Sequence, residues 1–501
     1  MGRRVGRLAS SIFTAFIVVT VITSVITACT DNFINEIKKK VEDESAPRYK
    51  VVYNGNGEDA GEVPVDPNEY KEGDTVTVLG NPGSLTKSGY VFVGWNTKAD
   101  GSGTEYGEGE TFGIGAGDIT LYARWVVEIA KLYAQDETDN WWFGYSVAIS
   151  GNYAAIGCGR EFLYVFRMTD YNTWDDGTRL YAAGGQNVVA IDGDYVVSGS
   201  KSYSSNTGKV KVFHRTDSGW GTGVAVDNPN GGAGAGDYFG CSVGINGDYI
   251  VIGAEGDGSA SHPGAAYVHH RNGINSWGEE VKLVEPAEYA AVESHFGNSV
   301  DISGNYVIVG AELADVNATD TGSAYIFYRT GGNDWSSVVR LVASDGEAND
   351  RFGSSVAIDG DYAVVGAVLE THLANEEGAA YVFHRTGENS WDSGFKLIAP
   401  DALGIDNFGS SVAIDGNYIA IGSRYNSELG NHAGAVYIFK RTGTNEWAFS
   451  RKILAPDGSE DDRFGWSVGI SGSYVIGGAD MNDVKGFNAG VSYVKLIGNG
   501  E

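Results

Sequence analysis

The chain has 501 residues and a formal charge of −30, from 65 acidic against 35 basic side chains. A surface that acidic repels phosphate backbones, which excludes nucleic acid as a partner and leaves cationic partners or divalent ions open. Glycine is abundant at 73, proline and methionine are scarce, and 12% of residues are aromatic, a mixture that suits short strands and turns. At this length two or more domains are expected.

Residues 1–28 read as an export signal. Arg3, Arg4 and Arg7 form a basic start, "SIFTAFIVVTVITSVIT" is apolar, and Ala28 is a small residue before Cys29. The run Ile26-Thr27-Ala28-Cys29 resembles a bacterial lipobox, which implies Cys29 as the lipidated first residue of the mature protein and the lipid as its attachment to a membrane. An ordinary secretory signal or an uncleaved anchor is the alternative. With Cys29 set aside, Cys158 and Cys241 fall in different repeats and are expected as buried free thiols. Residues 29–47 are polar and charged, and read as a membrane-proximal tether.

From 48 to 126 the chain becomes strand-like, with "YKVVYNGNG", "GYVFVGWNTKADGSGTEY" and "ITLYARW" separated by Gly, Asn and Asp turns. The "GYVFVGWNTKADGSGT" and "TLYARW" phrases resemble the Listeria–Bacteroides repeat, also called the internalin B-repeat. That resemblance implies a small β-grasp domain used as a spacer or adhesive module. Phe92, Trp95, Tyr122 and Trp125 are expected to form its core.

From 127 to 501 one phrase returns. Phe-Gly pairs begin at Phe143, Phe239, Phe296, Phe352, Phe408 and Phe464, and a degenerate copy without Phe-Gly, "NVVAIDGDYVVSGS", starts at Asn187. Each of the seven units holds four strand-like pieces, the first two joined by Asp-Gly, Asn-Gly or Ser-Gly. The last unit stops after its third strand, and "EIAKLYA" at 128–134 supplies the missing fourth. The fold class is therefore mainly β: a seven-bladed β-propeller closed by strand 128–134, behind a small N-terminal β-domain. "FGxSVAIxGxYxxxGA" and "GAAYVFxRTG" resemble FG-GAP repeats, the blades of the integrin α-subunit propeller.

Residues that recur in every blade serve the blade. Gly353 and its equivalents are expected to permit a backbone conformation or a close approach, and Phe352 and its equivalents to pack between blades. Trp174, Trp220, Trp277, Trp335, Trp391 and Trp447, one per blade, are expected in the core. His214, His270 and His384 share a position held elsewhere by Tyr328 and Lys440, which argues against a metal or acid–base role. His262, His295, His372 and His432 lie in variable loops with nothing to cluster them. Integrin-like blades often hold calcium in a D-x-D-x-D-G loop, a pattern absent here. The pairs Asp345/Asp350, Asp401/Asp406 and Asp457/Asp462 are expected to satisfy turn amides. No metal ligand set is assigned and no cofactor is expected, with calcium as the open alternative.

Function is expected where the blades differ: in the loops after the second strands, and at "DNWWFG", where Trp141 and Trp142 replace residues such as Asn349 to Arg351. Those two indoles are the candidate ligand-binding residues, with packing against the neighbouring domain as the other reading. No catalytic motif is found and no enzyme activity is assigned. The expectation is a cell-surface or envelope lipoprotein that binds an extracellular protein or a polysaccharide. A polysaccharide-acting propeller enzyme and an architectural envelope protein are the alternatives.

Overall fold

The computed structural model describes residues 2–136, 139–182, 184–229, 236–256, 264–290, 293–372, 376–402 and 404–497. Two compact units meet at Val126/Val127. In the first, a single α-helix, Gly2–Ser45, runs through both the apolar segment and the polar tether, with Cys29 exposed along it. Among the described residues, no helix is long and apolar enough to cross a membrane.

The rest of that unit is a small β-domain. Its four-stranded sheet places Val51–Asn54 parallel to Ile119–Val127, followed by Tyr90–Asn96 and Glu105–Tyr106, with a ribbon of Thr75–Thr77 and Thr111–Gly113 beside it. Trp95 is buried among Tyr53, Leu121 and Ala123, with Phe92 and Trp125 packed against the cluster. Tyr122 departs from the expectation: strand alternation buries Leu121 and Ala123 and leaves it half-buried on the other face.

The second unit is a ring of seven antiparallel sheets. Their first strands are Ser146–Ser150, Asn187–Asp192, Phe239–Asn246, Val300–Ser303, Phe352–Asp359, Phe408–Asp415 and Ser467–Ser471. Each of these touches the next, and the seventh touches the first. Blade 7 is completed by Ile129–Leu132, which pairs with the last strand in register Ser492↔Leu132 to Lys495↔Ile129. A second closure runs around the hairpins. The residue ending each first strand accepts the amide N–H of the hairpin glycine in the following blade. There are seven such bonds of 2.5–3.3 Å, the last from Gly151 back to Ser471.

The Phe-Gly turn joins blade to blade. Phe352 is fully buried between Ile308 and Leu341 of blade 4 and Tyr381 and Phe383 of its own blade. Gly353 has φ +96, and a Cβ there would lie 2.2 Å from the Ser323 carbonyl oxygen of blade 4. Both expected reasons for the glycine therefore apply. The preceding loop ends in Gly322, bridged in parallel to Phe352, and the same bridge recurs at Gly264↔Phe296 and Gly434↔Phe464.

On the hairpin side, five joints share one packing unit. The hairpin Tyr of one blade (Tyr153, Tyr195, Tyr249, Tyr306, Tyr362) lies under an Arg of the next blade at 4.3–4.9 Å and against its Trp at 5.7–6.2 Å. That Arg also binds the hairpin Asp or Asn of its own blade, as Arg271 does with Asp248. His214, His270 and His384 stack on the same tyrosines, which gives the repeated histidines a packing role. Cys158 and Cys241 are buried, and their thiols donate to the carbonyls of Phe162 and Gly297 at 2.9 and 3.2 Å.

Substituting Gly353→Ala is expected to cost about 3 kcal/mol or more, because strain and a backbone clash add. Gly360→Ala, in a hairpin with φ +55 and nothing within 4 Å of the added carbon, should cost only about 1–2 kcal/mol. Urea midpoints of the two variants check the difference; equal losses would remove the close-approach argument.

Candidate functional site

The hairpin end of the ring repeats from joint to joint, whereas the opposite end does not. Three positions converge there in the blades that carry Phe-Gly: the residue before it, the residue after it, and the residue that follows the second strand. The first is held in the left-handed region whatever its side chain. Trp142, Tyr238, His295, Arg351, Asn407 and Arg463 all have φ between 51 and 58. The backbone demand belongs to the scaffold, and the choice of a large side chain at a strained position is local to each blade.

At the end of strand 2 the ring reads Gly159, Lys201, Glu255, Glu312, Val368, Arg424 and Asp480. These groups interact within and across blades. Lys201 pairs with Glu255 at 3.0 Å, and His295 lies 3.6 Å from Glu312, which raises the His295 pKa. Burial pushes the Cys241 thiol up to about 12, so it is no nucleophile. Trp466 packs against Tyr145 of blade 1 at 6.1 Å, with the Arg424 and Arg463 guanidiniums 4.9 and 5.3 Å from its ring. Asp480 is 3% exposed and its Oδ1 has no hydrogen-bond partner among the described residues. Burial pushes its carboxyl up to about 6, against the pull of Arg463 and Arg424.

Trp141 and Trp142 precede the Phe-Gly turn of blade 1, where the Trp142 amide donates to Asn488 O of blade 7 at 3.1 Å. Trp141 stacks on Phe162 of its own blade at 5.8 Å. Trp142 lies over Gly159, where a Cβ would come within 2.6 Å of the indole, and its Nε1 is buried without an acceptor among the described residues. The two indoles are thus seated on one blade and half-buried.

The other sequence-derived candidates distribute as follows. His262 and residues 257–263 of the loop after strand 2 of blade 3, with 373–375 of the blade 5 loop, lie outside the described residues. His295, His372 and His432 do not meet one another, but each faces a carboxylate: Glu312, Glu370 and Asp461. Asp350 and Asp462 accept turn amides as expected, from Glu347 and Ser459. Their partners in the sequence pairs do something else. Asp345 accepts Tyr381 Oη and Lys396 Nζ, Asp401 accepts Tyr437 Oη and Lys452 Nζ, and Asp457 accepts Tyr493 Oη and pairs with Lys131. Each of these carboxylates ties an inter-blade connection to the blade that follows. Among the described residues, no group of three or more His, Cys, Asp or Glu side chains is placed to hold a metal ion.

The FG-GAP repeat model matches residues 126–161, 230–269, 277–327, 335–383, 391–439 and 447–495. Blade 2 falls between the first two matches, although its sheet is present. The Listeria-Bacteroides repeat domain model matches residues 49–124. Two proteins of Evansella cellulosilytica are similar over part of their length. One, named "Putative membrane protein", is 42% identical over 88 residues, 18% of this chain and 13% of that protein. The other, "Putative Gly-rich membrane protein", is 38% identical over 85 residues, 17% of this chain and 10% of that protein. The chain thus spans a small part of the curated relatives it matches. The crystal structure of the computationally designed Ika8 protein aligns with 74% of this chain and 100% of its own at 14% identity and a TM-score of 0.39, too low to support an argument.

The Asp480 carboxyl titrates near 6 in the fold and near 3.8 when unfolded. Its contribution to stability is therefore full below about pH 4 and lost as pH rises through 6. Asp480→Asn should match the parent at pH 4 and exceed it at pH 7.5 by on the order of 2 kcal/mol. Denaturation at the two pH values checks this, and a variant that is equally or less stable at pH 7.5 would contradict it.

Proposed function

Because the chain belongs to the FG-GAP repeat family, with more than half of its length in matched repeats, we propose that it is an envelope-anchored recognition protein. In this reading it carries a binding propeller on a β-domain spacer and a lipid at Cys29. Its ligand is an extracellular protein or polysaccharide, and it performs no catalysis. The observation that carries the reading is the asymmetry of the ring. One end repeats the same Tyr–Arg–Trp packing at five joints. The other holds aromatic, cationic and anionic side chains that differ from blade to blade on an identical left-handed backbone. A fixed frame with one divergent face is how recognition surfaces are built. The names of the two relatives and the Cys29 context support an envelope location.

The test is a screen of the full chain against glycans and extracellular-matrix proteins, with calcium and with chelator. A saturable ligand lost in Trp141→Ala/Trp142→Ala, with the fold retained, is expected. A folded chain that binds nothing would overturn the binding reading in favour of architecture, and loss on chelation would assign calcium a part. In cells, Cys29→Ser should move the protein from the membrane to the soluble fraction; unchanged membrane association would overturn the lipid anchor.

A further inference from the structure

Blade 2 lacks the Phe-Gly turn, and blade 1 lacks something that belongs with it. The connection between strands 2 and 3 covers 158–161 in blade 1 but 312–322 in blade 4. In the other blades that connection ends on the Phe-Gly turn of the following blade, so the two omissions remove both halves of one contact. Asn187 takes the glycine's place: a Cβ on Gly157 would meet Asn187 O at 2.0 Å, as one on Gly253 would meet Gly297 O. Phe162 and Leu163 stand where the register of other blades puts Ala265/Ala266 and Ala379/Ala380; Leu163 fills the volume of the missing ring, while Phe162 packs on the opposite face against Trp141 and the cluster shared with blade 7.

The paired omission leaves a notch in the divergent face. Its floor is backbone: Gly185, whose added Cβ would lie 2.9 Å from the carbonyl oxygen of Gly159 beneath Trp142, with Gly184 against Ser200 and Tyr203. Ser200 and Ser202 hydroxyls hold the Gly185 carbonyl at 2.6 and 3.0 Å. One wall is Trp142 and the other Tyr203, which is 40% exposed; beside them Phe162 carries Tyr181, 59% exposed, at 5.0 Å.

Cations collect here although the chain as a whole is strongly acidic. Arg179 lies over Phe162 and Tyr181, Lys209 over Tyr203, and Lys211 donates to the Tyr181 carbonyl at 2.9 Å. Arg160 is exposed at the rim and Lys201 stands at its inner edge. The nearby carboxylates are Asp136, paired with Arg179, Glu255, paired with Lys201, and Glu161. Burial and the neighbouring Lys209 lower the Lys211 pKa, a crowding that a bound anion relieves. A glycine floor with aromatic walls admits the flat face of a sugar ring, and a cationic border selects charge.

We propose that the notch between blades 1 and 2 binds a segment of an anionic glycan, one sugar ring lying against Trp142 over the glycine floor and its acidic groups on Lys209 and Lys211. The proposal rests on the binding role argued above and narrows it to one site and one ligand class. The acidic group is a carboxylate of a uronic acid or a phosphate of a phosphodiester-linked polyol.

The test is titration of the full chain with oligogalacturonate, with a glycerol-phosphate polymer and with a neutral glucan, followed by tryptophan fluorescence and calorimetry at low and high salt. One of the anionic polymers is expected to bind and quench fluorescence, with affinity falling by about tenfold or more between 50 and 500 mM salt. The polymer that binds identifies the acidic group. Lys209→Gln/Lys211→Gln should weaken binding by about tenfold with unchanged circular dichroism. Trp142→Phe should keep part of it, and Lys440→Gln on the far face should change nothing. Equal binding of the neutral glucan, or an unchanged affinity in the lysine pair, would overturn the anionic-glycan site while leaving the binding role intact. A folded chain that binds none of the three polymers would overturn it as well.

Discussion

Blades of this propeller meet backbone to backbone at the Phe-Gly turn, and most of the second unit follows from that contact. A carbonyl of one blade occupies the space of the next blade's absent Cβ, as Ser323 O does at Gly353. Only glycine accepts this together with a positive φ. The neighbouring Phe then wedges between two sheets, which fixes their spacing. The contact has two halves, a loop end on one blade and a turn on the next. Removing one half alone would leave exposed apolar surface or unpaired backbone groups. At blades 1 and 2 both halves are gone together, and Leu163 and Asn187 restore the packing.

The two ends of the ring carry different duties. At the hairpin end, the sevenfold cycle of side chain to glycine amide bonds and the Tyr–Arg–Trp joints lock rotation between blades. There Arg215, Arg271 and Arg385 pair with the hairpin Asp of their own blade, and Arg329 and Arg441 hold a neutral Asn at the same place. At the opposite end the scaffold specifies the backbone and leaves the side chains free. Lys201 pairs with Glu255 across a joint, the buried Asp480 has an Oδ1 without a hydrogen-bond partner among the described residues, and cations gather beside blade 2. Unpaired charge and uncovered aromatic surface have a cost, and they are concentrated where a ligand can offset it.

Repetition made the architecture legible in the sequence. The 56-residue spacing of Phe408 and Phe464, the hairpin dipeptides and the stray strand at 128–134 sufficed to count seven blades and close them. Blade 2 could be counted because its hairpin survives, even though the turn that defines the repeat does not. The partnerships that cross joints were not legible. Asp345 meets Tyr381 and Lys396, 36 and 51 residues later, and nothing local distinguishes it from Asp350, which caps a turn three residues away. The His295–Glu312 pairing was hidden for a similar reason, since it joins two variable positions. Trp141 and Trp142 stood out as departures from the repeat, but the glycine floor and cationic border beside them come from three separate segments that only the fold assembles.

Amide hydrogen exchange with and without saturating bound glycan tests the central claim most directly. The account predicts new protection at 157–162, 184–187 and 200–211, with the hairpin end of the ring unchanged. Protection confined to the hairpin end, or spread evenly around all seven blades, would contradict it.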